Sequence, residues 1–135
     1  MSAPRLLTLP ELAKAIDVQY RTLHSWLVRG LIRPSLQASR GTGVPNLFTF
    51  DDAVRAKVIA DLRRWGVSFE RVLEAARELD DHPEALDTGA MVLVNGAVSV
   101  VDAKGAAAAL ERESLTLVYN TAHAVRDIGS VLVGA

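Results

Sequence analysis

Within seven residues the chain places Gln19, Tyr20, Arg21, His24 and Ser25. On a helical repeat, Leu23, Trp26 and Leu27 fall on one side of this stretch and those five on the other, with Val28 near the edge. A glutamine amide matches the donor and acceptor of adenine, and a guanidinium either grips guanine at two points or clamps a phosphate. An imidazole can donate to either. A further arginine suits the sugar-phosphate chain or the minor groove: Arg40, beside Gly41-Thr42-Gly43. Plainer readings stand beside these. Tyr20 can be a packing residue, His24 an ordinary exposed histidine, and Arg40 part of a solvated loop, while Thr22 packs near the turn and Trp26 belongs to a core.

Bond-making chemistry has little support. The chain has no Cys, which removes disulfides, thiolate ligands and cysteine nucleophiles. His24, His82 and His123 are scattered, and neither a Gly-x-Ser-x-Gly turn nor a phosphate-cradling loop is present. Asp80-Asp81-His82-Pro83-Glu84 reads as a solvated connector rather than a metal clip. No enzyme, metal or cofactor is expected. Residues 1–79 carry 12 Lys+Arg against 8 Asp+Glu, a net of +4, and residues 80–135 carry 3 against 8, a net of −5. Only the first part is suited to a polyanion. No apolar run or leader pattern suggests a membrane span or export, so a cytoplasmic setting is expected.

The elements that must hold these side chains follow from local signals. Thr8-Leu9-Pro10-Glu11 is a capping box opening a helix that buries Leu9, Leu12, Ala13 and Ile16. Asp17-Val18 makes a turn, and a second helix runs from about Gln19 to Arg29 and stops at Gly30. Residues 35–50 read as a hairpin wing, with a strand over Leu47–Phe50. Asp51 is expected to cap a third helix carrying Val54, Val58, Ile59 and Leu62, with Arg63 and Arg64 on a solvated face and Trp65 in the core or a helix contact. Gly66 ends it, and Ser68 caps a fourth helix stapled by Val67 and Val72.

Asp80 to Thr88 is a polar connector. Beyond it, Met91–Val94 and Ala97–Val101 flank Asn95-Gly96, a two-residue hairpin signal. Asp102 can cap an Ala-rich helix to about Glu113, Leu115–Tyr119 has strand character, and Asn120 can cap a last helix with Val125, Ile128 and Leu132. The reading is ββαβα. The hairpin is apolar on both faces, so something must cover one of them: the first domain or, preferred here, the same module of a second chain. The fold class is mainly α with β (α+β). Residues 1–80 form the first domain, 81–88 a connector and 89–135 a small dimerisation or interaction module.

The stretch from Leu7 to Leu79 resembles the MerR-type winged helix-turn-helix family. The matching pieces are Leu7–Ala13, Arg21–Trp26, Gly30–Pro34, Phe48–Val54 and Leu62–Val72, in order and at the right spacing. The resemblance implies a DNA-binding regulator, with Arg21 on the DNA backbone in preference to a base and Arg33, at the family's basic exit before the wing, on a phosphate. It also carries departures: His24 stands where the family usually has Arg, Ser25 where it has Tyr, Leu27 where it has an acid, and Gln19 where it has a small capping residue. The coiled coil that makes the family's dimers is not evident after Leu79, and cysteine-based metal sensing does not carry over.

These readings predict a sequence-specific binder of double-stranded DNA, acting as a homodimer through 89–135 and serving as a repressor or architectural factor. The DNA contacts expected are Gln19, Tyr20, Arg21, His24, Ser25, Arg33 and Arg40. A second hypothesis makes 89–135 the functional part, binding a protein partner, as an antitoxin does, or a small-molecule effector. A third is an excisionase-like architectural factor.

Overall fold

Three helix exits in the first half close in the same way, and that repetition builds the scaffold. The structure, a computed structural model, describes residues 6–35, 46–82, 91–94, 98–112 and 117–134. Helix α1 (Leu9–Ala15) opens on the expected box: the Glu11 amide donates to the Thr8 hydroxyl, and the Thr8 amide donates to the Glu11 carboxylate at 3.0 Å. It closes with the Val18 amide donating to the Ala13 carbonyl at 2.9 Å and the Asp17 amide to Lys14 at 3.3 Å. Helix α2 (Tyr20–Val28) repeats this through Leu31 to Trp26 at 2.8 Å and Gly30 to Leu27 at 3.2 Å. Helix α3 (Phe50–Arg64) does so through Val67 to Leu62 and Gly66 to Arg63, both at 3.0 Å. Each is a Schellman exit, which needs a left-handed residue just past the cap. Gly30 (φ +79°) and Gly66 (φ +89°) supply it without a Cβ clash, and Asp17 (φ +56°) fills the third position.

Helix α4 (Phe69–Asp81) starts on the Ser68 hydroxyl, which accepts from the Arg71 amide. Val67 and Val72 both join the core beside it. The entry to α3 differs from expectation. Thr49, not Asp51, is the cap, and Asp52 closes a capping box back onto Thr49. Phe50 is already helical. Phe48 pairs with Leu7, each amide donating to the other's carbonyl at 2.8–2.9 Å, so the residues leading into α3 are held against those leading into α1. The expected hairpin tip, Arg40 through Gly43, lies outside the described residues, as do the Asn95-Gly96 turn and the connector from Pro83 to Thr88.

The second half forms ββαβα as read: β1 (Met91–Val94), β2 (Val98–Val101), α5 (Ala103–Arg112), β3 (Leu117–Asn120) and α6 (Thr121–Gly134). The strand order is β2-β1-β3, with both pairings antiparallel and Met91 opposite both Val101 and Asn120. β2 and β3 therefore run the same way on either side of β1, joined across it by α5. Asp102 accepts from the Gly105 amide at 2.8 Å and Asn120 from the Ala122 amide at 2.9 Å, the two caps expected.

The apolar sheet is covered from within the chain. Val98, Val100 and Tyr119 join the main core with Ala124 and Ile128 of α6, the same core that holds Leu12, Leu23, Val58 and Leu79. On the other face, Ala106 and Ala109 of α5 pack against Val101 and Val118. Of the two ways to bury the hairpin, the first domain rather than a second chain does it here. α3 lies at the centre, packed by α4 and α6, and every residue from Asp52 to Leu62 except Arg55 is buried. Among the described residues, no helix is long and apolar enough to cross a membrane.

Candidate nucleic-acid interface

Helix α2 buries Leu23 and Trp26 and half-buries Leu27, as the spacing predicts. Its other side is open: Gln19, Tyr20, Arg21, Thr22, His24, Ser25, Val28 and Arg29 are all exposed. Thr22 therefore does not pack into the turn. Tyr20 is 52% exposed, its ring tilted against His24 at 6.0 Å between centroids, so the packing alternative for Tyr20 is set aside. Gln19 occupies the cap position in extended backbone, but its side chain makes no capping bond and is left to reach outward. Arg21 and Arg33 make no ion pair or hydrogen bond among the described residues, and both are exposed. α2 bears no acidic residue.

The far end of the helix is anchored. The Arg29 guanidinium lies 3.6 Å from the centroid of the Phe69 ring, a cation–π contact tying α2 to the start of α4. At the near end, Arg64 donates to the carbonyls of Asp17 at 3.1 Å and Ile16 at 3.5 Å while pairing with Asp61 at 3.0 Å. It fastens the α1–α2 turn to α3. Arg63 donates to the Val67 carbonyl at 2.8 Å. These two arginines, expected on a solvated face, serve as local fasteners. Trp65, expected in the core or a helix contact, is 77% exposed. As the α3 cap residue it points away from the stripe that continues Leu62.

Ser35 and Thr49, on either side of the expected wing, converge on one carboxylate. Asp52 accepts from the Ser35 hydroxyl, from the Ser35 amide at 2.9 Å, from the Thr49 amide at 2.9 Å and from Arg55 at 2.7 Å. Burial alone would raise the Asp52 carboxyl, but the bonds from Ser35 and Thr49 and the Arg55 charge outweigh it and hold the group below its ordinary 3.8. The Thr-x-x-Asp spacing was visible in the sequence as a box. The Ser35 partnership, 17 residues away, had no local signal.

The seam between the halves is built on Lys57 and Asp61 of α3. Tyr119 donates to Asp61 at 2.6 Å, and Lys57 pairs with Asp61 at 3.1 Å and with Asp127 at 3.3 Å. Burial first, then the Asp61 bond, pushes the Tyr119 hydroxyl up, so it stays a donor. Among the described residues no cluster of His, Asp and Glu could hold a metal ion. His82 and His123 sit by Glu78 and Asp127 respectively.

A family model for the MerR HTH family regulatory protein matches residues 7–79, more than half the chain. Comparison with the curated proteins gives no match. With three Schellman-closed helix exits, an exposed polar α2 face and that match in register with them, the chain belongs to the MerR helix-turn-helix family and is, at the level of that family, a DNA-binding transcriptional regulator.

Proposed function

We propose that the chain reads specific duplex sequences with α2 in the major groove, Gln19, Tyr20, Arg21, His24 and Ser25 facing the DNA, and with Arg33 and the wing's Arg40 on the backbone. The observation that carries this reading is the open face of α2: Gln19 and Arg21 are exposed and Arg21 makes no ion pair or hydrogen bond among the described residues, whereas the acidic half packs against α3 and α4. Early positions of a recognition helix go deepest, which gives Gln19 and Tyr20 base-edge roles and Arg21 and His24 mixed base and phosphate roles. Two copies act together. A single module buries only about 600–1,000 Å² on DNA, and a pair adds affinity and sets half-site spacing. The surface left for self-association is the outside of 89–135, where Leu110 and Val131 remain exposed. Repression or architectural binding fits better than promoter distortion across a coiled-coil dimer. Selection from a random DNA pool followed by sedimentation of the complex tests both parts. A defined motif with two half-sites and two chains per duplex is expected; recovery of no motif would overturn the reading.

A further inference from the structure

An open groove of about 460 Å³ runs along the seam, walled by α3 on one side and by β3 and the start of α6 on the other. Its rings are Trp65, Tyr119 and His123. A tryptophan 77% exposed in a concave site is unusual for a residue that no neighbour needs. The groove's strong acceptors are already committed. Asp61 receives Tyr119, Lys57 and Arg64, and the Asn120 side-chain oxygen receives the Ala122 amide; Asp127, outside the lining, receives Lys57. Donors remain: the Asn120 amide group, the Trp65 indole N–H and the unused N–H groups of Lys57 and Arg64. We infer that this groove binds a planar aromatic carboxylate, its ring against Trp65 and its oxygens on the Asn120 amide and the Arg64 guanidinium.

The position gives the ligand a consequence. The same Arg64 guanidinium holds the Ile16 and Asp17 carbonyls in the turn that leads directly into α2. A carboxylate bound to the unused N–H groups draws the guanidinium into the groove, away from those carbonyls, and loosens the base of the recognition helix. Ligand binding therefore weakens DNA binding. Only this second consequence rests on the DNA-binding reading; occupation of the groove does not.

The probe is 2-naphthoate, titrated calorimetrically into the full chain without DNA. Saturable binding is expected, with cyclohexanecarboxylate weaker by about tenfold or more because it lacks a ring face for Trp65. Trp65→Ala alters only an exposed side chain and should weaken binding by a similar factor. Asn120→Asp keeps an oxygen for the Ala122 amide but replaces the donor with a negative charge, and should abolish it. No saturation at millimolar naphthoate, or affinity unchanged in both variants, overturns the site. Repeated with selected DNA, naphthoate should release the wild-type chain but not Trp65→Ala; equal DNA affinity with and without bound naphthoate overturns the coupling. Naphthoate binding by a chain that holds no DNA motif would leave the groove standing and remove the DNA reading instead.

Discussion

Two charged regions of this molecule behave in opposite ways. On α2, Arg21 is exposed and makes no ion pair or hydrogen bond among the described residues, and Arg33, past the end of the helix, is the same. Along the α3–α6 seam, Lys57, Asp61, Arg64 and Asp127 are all paired, and Tyr119 closes the set. The difference lies in what each charge is for. Paired and half-buried charges fix one arrangement of the two halves, whereas uncommitted cations on a rigid helix are available to a polyanion. Counting basic residues does not separate the two classes, and partners do.

The comparison is broken most severely at the seam. Ile128 is fully buried and sits in the core shared by both halves. Ile128→Ala should cost about 2–5 kcal/mol in urea unfolding, in one transition covering both halves; a separate, unshifted transition for residues 1–80 would show that the halves fold independently. Next comes Tyr119→Phe, which removes a hydrogen bond to a charged group and should cost roughly 1.5–3 kcal/mol. DNA affinity of the folded protein should be unchanged.

Asp52→Asn acts instead where Ser35 meets the entry to α3. It weakens the fastening of Ser35 and Thr49 and should cost on the order of 1–3 kcal/mol. Because the folded carboxyl lies below its ordinary 3.8, its stabilisation is complete above that value and is lost as pH falls through the folded pKa. Acid titration of the wild type should therefore show a loss of stability below about pH 4 that is shallower in Asp52→Asn. Equal slopes would mean the carboxylate does not hold Ser35 and Thr49. The smallest effect is at Gly66, where φ is +89° and a Cβ would meet no neighbour. Gly66→Ala should cost about 1 kcal/mol from backbone conformation alone, read as a small drop in Tm.

What was legible in the sequence was local. The Thr8–Glu11 box, the stops at Gly30 and Gly66, the inward Leu23 and Trp26, and the Asp102 and Asn120 caps all rest on residues within five positions of one another. What was missed is long-range. Ser35 reaches Asp52 across 17 residues, Arg64 reaches the α1–α2 turn across 47, and Tyr119 reaches Asp61 across 58. No periodicity records such pairings. The apolar hairpin announced that it needed cover, but a strand pattern does not say whose surface supplies it. Trp65, expected in the core or an inter-helix contact, is exposed instead, because as the α3 cap residue it lies off the stripe that continues Leu62.

The open face of α2 is tested most directly by fluorescence anisotropy on pool-selected DNA over a salt series, comparing the wild type with Arg21→Ala and Gln19→Ala. For Arg21→Ala, weaker binding to all sequences is expected, with the slope of log K against log salt reduced by about one unit. Gln19→Ala should leave that slope intact and relax preference at one base pair. Unchanged affinity, slope and preference in both variants would contradict a DNA-reading role for this helix.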